Sequence, residues 1–276
     1  MPKKNLQLIA ALVAAVFAAG AQAQQTGSKV EVDKVEQRQT GKDNKQFLDL
    51  GNVERGGKSD VKAGTVKQMQ GQGQGNVQKM GVGNVAGTGS SKVKTGDITQ
   101  KQMGGQGNTQ TMGVGNVAGT GKSDVKTGNI TQTQTGGSKA IQDMQIGNVK
   151  YSGESKVRTG NITQTQTNAS RSEQEMKVGN VQGAGKSDVK TGDILQSQQG
   201  EDSKQRMGIG NVTGSGKSGV VTGPITQTQA GSKNTQGLQV GNVTGSGTSN
   251  VKIPGGITQT QSGEKNTQET NIGNVK

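Results

Sequence analysis

Gln110-Thr111-Met112-Gly113-Val114-Gly115-Asn116-Val117 decides how this chain folds, because its last three residues return along the whole sequence. In phase, Gly-Asn-Val begins at Gly51, Gly83, Gly115, Gly147, Gly179, Gly210, Gly241 and Gly273, at steps of 32, 32, 32, 32, 31, 31 and 32 residues, with one further copy out of phase at Gly75. A near-constant period of this length marks one unit stacked along an axis, each copy burying its face against the next rather than around a central core.

Working outward through the copy from Gln110 to Gln142, Gln110, Met112 and Val114 alternate with Thr111 and Gly113, the period-two signature of a strand with one face inward. Gly115-Asn116 breaks the alternation before Val117, and Gly119 and Gly121 read as a turn. Ser123, Val125 and Thr127 alternate again, and Gly128-Asn129 interrupts a second time. Ile130, Gln132 and Gln134 then share one face while Thr131 and Thr133 share the other. No segment has the 3.6-residue spacing of an amphipathic helix. Met112 to Val117 is similar to Val125 to Ile130, so each unit reads as two strand-bend-strand arches. Glycine is expected to supply an unusual backbone angle at both bends, with Asn or Asp tolerating the neighbouring turn conformation. The expected fold is all-β, a β-solenoid of stacked β-arch repeats of about 31–32 residues.

Stacking turns single positions into columns. One apolar column holds Leu48, Met80, Met112, Met144, Met176, Met207 and Leu238, and its neighbour holds Leu50, Val82, Val114, Ile146, Val178, Ile209, Val240 and Ile272. Val61, Val93, Val125, Val157, Val189, Val220 and Val251 form a third, and Val66, Ile98, Ile130, Ile162, Ile194, Ile225 and Ile257 a fourth. A polar column accompanies them, Gln68, Gln100, Gln132, Gln164, Gln196, Gln227 and Gln259, with a parallel Gln set two residues on. In-register amides hydrogen-bond to their copies above and below, as in cross-β stacks. A lone copy has too few aliphatic side chains to offset the ordering of its backbone, so stacking is obligatory.

The first 23 residues read as a secretory signal: Lys3 and Lys4, an apolar stretch from Leu8 to Ala19, and Ala21-Gln22-Ala23 as a cleavage site. The expected organisation is a signal peptide over 1–23, an N-terminal segment with a partial repeat over 24–50, and the repeat solenoid over 51–276. The repeat pattern is first visible at Val35-Glu36-Gln37-Arg38-Gln39 and is still in register at Gly273-Asn274-Val275-Lys276. Neither end shows a helical, proline-rich or heavily charged cap, and open solenoid ends favour head-to-tail polymerisation. Beyond the signal, 30 Lys and Arg face 19 Asp and Glu, a formal charge of +11 spread through the repeats. Cys, His and Trp are absent, which excludes disulfides, thiolate or imidazole metal sites and His-based catalysis. Low hydrophobicity with abundant Gly, Gln, Ser and Lys points towards disorder. The strict register of apolar residues and the near-absence of proline oppose it.

Gln229-Ala230-Gly231-Ser232-Lys233-Asn234-Thr235-Gln236 and Gln261-Ser262-Gly263-Glu264-Lys265-Asn266-Thr267-Gln268 carry a Gln-x-Gly-x-x-Asn pattern. It resembles half of the repeat of curlins, the secreted subunits of curli, the functional amyloid fibres of bacterial biofilm matrix. The matching positions are Gln229, Gly231, Asn234 and Gln236, then Gln261, Gly263, Asn266 and Gln268; Ala140 replaces the Asn in another copy. The repeats here are longer than curlin units, poorer in aromatics and more basic. The resemblance implies a stacked-arch architecture and a matrix role, with an outer-membrane secretion or nucleator protein as a partner.

Other motifs carry less. Gly121-Lys122-Ser123, Gly185-Lys186-Ser187 and Gly216-Lys217-Ser218 imitate the end of a phosphate-binding loop, but Asn116, Asn180 and Asn211 stand where its first glycine belongs, so repeat turns explain them. Asp60, Asp124 and Asp188 suggest a calcium-binding roll, yet Lys92, Lys156 and Gly219 occupy the same place in other copies. The outward pairs Thr131 and Thr133, Thr163 and Thr165, Thr226 and Thr228, Thr258 and Thr260 resemble the threonine arrays of ice-binding proteins. Lys101 and the pair Leu195 and Ser197 break that array, and threonine suits any exposed strand. Distributed lysines would attract DNA, acidic polysaccharide or anionic membrane surfaces without sequence specificity, but solubilising charge on outer faces is the preferred explanation, and no specific nucleic-acid partner is expected. No catalytic, cofactor or metal residue is expected. The leading expectation is a secreted, non-enzymatic subunit that polymerises with itself head to tail through the Gln, Met, Val and Ile columns. The alternative is a monomeric solenoid that binds ice or another surface, as an adhesin does, through its Thr-x-Thr face.

Overall fold

A computed structural model of the chain describes residues 27–273 and 275; the signal reading lies outside the described residues. The described residues form a β-solenoid in which every strand pairing is parallel. Gly121 pairs with Gly89 before it and Gly153 after it, so the register equals the sequence period and one 32-residue repeat makes one complete coil.

The path round one coil follows from residue type. Thr111–Val114 is a strand whose Met112 and Val114 point inward, and the chain turns at Gly115-Asn116 to place Val117 in a short bridge. Gly121–Thr127 forms the long side, with Ser123, Val125 and Thr127 buried. A bend at Gly128-Asn129 leads to the short Gln-bearing strand Thr131–Thr133, and an arc over residues 134–142 returns the chain to the start of the next coil. The ladder begins earlier than the repeat pattern is visible by eye. Gly27–Arg38 already pairs with Gly57–Met69, from Gly27 against Lys58 to Arg38 against Met69.

The apolar columns form one continuous core running the length of the stack. A fifth column, Val53, Val85, Val117, Val149, Val181, Val212 and Val243, packs as a separate strip beneath the Gly-Asn-Val turn.

The two bends, alike in sequence, differ in conformation. Gly115 has φ +65°, and a Cβ there would overlap Cγ2 of Val125; six equivalent glycines have φ between 62° and 72°. Gly128 has no left-handed φ and open space around it, as do Gly96, Gly160 and Gly192. The expectation of an unusual angle at both bends is therefore corrected. Only the first turn is tight enough to bring its glycine onto the facing valine.

Gly121-Lys122-Ser123 is likewise the start of a strand and not a turn. The Gly121 N–H donates to the carbonyl of Ser152 at 3.1 Å, and a Cβ on Gly121 would overlap the carbonyl oxygen of Gly89. Ser123 Oγ is buried and donates to the carbonyl of Gly115 at 2.6 Å. No phosphate-cradling loop exists at a strand whose N–H groups are committed to the neighbouring coil.

Candidate functional site

The chemistry of this molecule is concentrated in its interior, which is divided between an aliphatic half and an amide half. Met112, Met144 and Met176 stand in register, as do Val114, Ile146 and Val178. Val125, Val157 and Val189, with Ile130, Ile162 and Ile194, complete the aliphatic half on these coils, and all twelve side chains are buried. Dispersion and water exclusion hold these columns, and neither force dictates which aliphatic residue fills a place.

The amide half is directional. Gln100 Nε2 donates to Oε1 of Gln132 at 3.1 Å, Gln132 to Gln164 at 3.1 Å, Gln164 to Gln196 at 3.2 Å, Gln196 to Gln227 at 3.3 Å and Gln227 to Gln259 at 3.2 Å. Gln37 and Gln68 extend the same line at its start. The second hydrogen of each amide crosses the interior: Gln100 donates to the Thr111 carbonyl at 2.8 Å and Gln132 to that of Asp143 at 3.1 Å. A counterpart from the opposite wall, Gln110, donates to the Thr133 carbonyl at 2.9 Å and to Gln142 at 3.1 Å. From Gln100 to Gln227 in the first column, and from Gln110 to Gln205 in the second, each amide uses both donors, one along the axis and one across the coil, which removes the penalty of burying it; at the start of the second column Gln46 Nε2 has no partner among the described residues.

This cross-bracing and the Gln110 column escape a reading of alternation alone. The signal that could have found the column is the Gln at the first inward place of every copy: Gln46, Gln78, Gln110, Gln142, Gln174, Gln205, Gln236 and Gln268. The Asn of Gly-Asn-Val builds an outer ladder in which the Asn116 N–H donates to Oδ1 of Asn84 at 2.9 Å and the Asn148 N–H to Oδ1 of Asn116 at 2.9 Å. Each residue of the recurring tripeptide therefore has its own role: glycine in the left-handed turn, asparagine in the ladder, valine in the second apolar strip.

The curlin-like segments sit in the arcs. Gln229, Asn234 and Gln236 are buried and Gly231 is half-buried, whereas Gln261, Gly263, Asn266 and Gln268 lie on the last described coil, mostly exposed. Asn234 Nδ2 donates to the carbonyls of Ala230 and, at 3.1 Å, of Gly231, so this side chain satisfies the arc's own backbone. Arc length decides what the preceding Gln does. Gln134 and Gln142 are eight residues apart, and there Gln134 donates to Gln166 at 3.2 Å. Gln198 and Gln205, like Gln229 and Gln236, are seven apart. In these shorter arcs Gln198 turns to the Lys204 carbonyl at 2.6 Å and Gln229 to that of Thr235 at 3.3 Å, and the second Gln column stops. Gln236 still donates to Gln268 at 3.4 Å.

The Thr-x-Thr residues form two outward columns along the Gln-bearing strand, half-buried except at the exposed Thr258 and Thr260. Thr131 pairs with Thr99, Thr133 with Lys101 and Thr165, Thr163 with Leu195, and Thr226 and Thr228 with Thr258 and Thr260. Leu195, 42% exposed, stands in the middle of the first column. Among acidic groups, burial foremost raises the carboxyl of Asp143 above its ordinary 3.8, with the facing Glu175 adding to the shift and the Gln145 amide and Lys177 opposing it. Among the described residues no three His, Cys, Asp or Glu side chains gather as a metal site.

Comparison of the chain with protein-family models, with curated proteins and with solved structures returns no match.

Proposed function

We propose that this chain is an exported, non-enzymatic structural subunit that stacks end to end on copies of itself, forming curli-like amyloid fibres of an extracellular or biofilm matrix. The observation that carries the reading is that every coil seats on a near-copy of itself: Ser123 on Ser91, Val125 on Val93, Met144 on Met112, Gln132 on Gln100. A surface that recognises its own repeat within one chain recognises the same repeat in another, and such a contact is heterologous and does not close. The uniform direction of the Gln column supports head-to-tail growth, because amide N–H groups face one way along the axis and amide oxygens the other. The signal-like N-terminus supports export, and the family resemblance supports a secretion or nucleator protein as a helper.

The reading is tested by incubating the purified chain beginning at Gln24 at micromolar concentration. Fibrils with a meridional reflection at about 4.8 Å are expected. A folded chain that stays monomeric by sedimentation over the same period rejects it, and thermal hysteresis from that monomer would favour an ice-binding role for the Thr face.

A further inference from the structure

Charge that is distributed along the sequence is gathered by the coil onto one face. On the long side, the outward positions equivalent to Lys58, Asp60 and Lys62 form three columns across the coils from residue 57 to 252. They hold twelve Lys and Arg against four carboxylates, a net of +8, where the chain beyond its signal carries +11. The middle column alternates in sign, Lys29, Asp60, Lys92, Asp124, Lys156, Asp188, and so is nearly self-neutral. Beside it Lys62, Lys94, Lys126, Arg158 and Lys190 are cationic on five successive coils. These five side chains are exposed or partly exposed. Lys62 has a distant ion pair with Glu31 at 3.8 Å, and among the described residues the other four have none. Like charges opposite one another on neighbouring strands are destabilising, and among the described residues only Lys62 of these five has a carboxylate within ion-pair distance.

We propose that this face binds a linear polyuronate, an acidic polysaccharide with one carboxylate per sugar, laid along the solenoid axis over the Lys62 to Lys190 column. The cations stand in single file, one per inter-strand spacing of about 4.8 Å, a step close to the length of one sugar in an extended chain. Duplex DNA instead carries one charge per about 1.7 Å of axis on two curving backbones, which a straight single file meets poorly. The alternating column discriminates further. The carboxylates of Asp60, Asp124 and Asp188 accept hydrogen bonds from sugar hydroxyls, which line a polysaccharide and are missing from a deoxyribose phosphodiester backbone. Single-strand binding also relies on stacked aromatics, and Phe47 and Tyr151, the two aromatic residues beyond the signal, stand in none of these columns.

The test uses the full chain without its signal, freshly purified as monomer, so that its outcome is independent of fibre formation. Binding to polygalacturonate is measured beside single-stranded DNA of equal charge and neutral dextran, at low and at high salt. The variant K62Q/K94Q/K126Q/R158Q/K190Q is compared with K45Q/K139Q/K150Q/K204Q/K265Q, which removes the same charge from other surfaces. We expect the column variant to lose at least about tenfold in affinity and the other to stay within about twofold, with wild-type binding weakened by salt. The double variant K94Q/K126Q gives an intermediate loss and guards against any misfolding of the fivefold change. Equal loss in both fivefold variants, tighter binding of DNA, or no binding of polygalacturonate by the wild-type monomer overturns the proposal.

Discussion

The two halves of the coil interior solve the same problem with opposite tolerance. In the aliphatic half one column passes through Leu48, Met80 and Met112, and its neighbour mixes Val114 with Ile146, because a non-directional force accepts any side chain of suitable volume. In the amide half the first column is Gln at Gln37, Gln68, Gln100, Gln132, Gln164, Gln196, Gln227 and Gln259 without a substitute. Each member must accept from one neighbour and donate to the next and across the coil, and at this length only Gln does all three. In the arc the residue varies through Asn108, Ala140, Ser172, Ser203 and Asn234: Asn108 donates to Asn76 Oδ1 at 3.4 Å and to the Gly136 carbonyl at 3.3 Å, Ser172 donates to the Ala169 and Gly200 carbonyls, and Ala140 donates nothing. Inside this solenoid the strand-borne amide column is uniform in residue type, whereas the arc accepts side chains of different size and bonding capacity.

The sharpest way to break the comparison is a charge in the amide half. Gln132→Glu keeps the shape but replaces the donor with an acceptor and buries a carboxylate, and is expected to cost about 3–5 kcal/mol at neutral pH, read from the urea midpoint. Much of the loss should return below pH 4, where the acid is neutral and donates again; an equal loss at both pH values would refute the assigned role of the amide N–H. In the aliphatic half, Met112→Ala is expected to cost about 2–5 kcal/mol, whereas Met112→Leu should stay below about 1.5 kcal/mol. If Leu proves as damaging as Ala, the aliphatic columns are as exacting as the amide ones and the contrast fails.

A third pair compares the bends. Gly115→Ala is expected to lose about 2 kcal/mol or more, from its left-handed φ and the overlap with Val125. Gly128→Ala should be neutral or stabilise by about 0.4–1 kcal/mol through the unfolded chain, and matching thermal shifts for the two would contradict the asymmetry. The smallest effect belongs to Asp143. Its carboxyl is raised in the fold, so its contribution is fullest below the ordinary 3.8 and is lost as pH climbs through the raised value. Asp143→Asn should therefore leave stability unchanged near pH 3 and improve it slightly at pH 7, checked by paired melts at the two pH values.

Much of this was legible from spacing. The inward alternation at Met112 and Val114, the Gln column through Gln132, and the outward Thr131 and Thr133 all stand where a period-two pattern puts them, because a strand has only two faces. Three things were not. The bond from Ser123 to the Gly115 carbonyl joins residues eight apart across a turn, a distance no periodicity encodes. The inequality of Gly115 and Gly128 depends on how sharply each bend closes on the opposite wall, which two similar tripeptides do not reveal. The redirection of Gln198 to the Lys204 carbonyl depends on an arc one residue shorter than those before it.

The repeat length, the faces of each strand and the columns that must stack were determined by the sequence alone, since a constant period brings like residues into line whatever the shape of the coil. Which walls meet across the interior, which glycine is forced into a left-handed turn, and which lysines stand together on one face were decided only by the closed cross-section. Those relations depend on how the chain returns to its starting point after 32 residues, a matter of bend angles and arc lengths set by the packing of opposite walls.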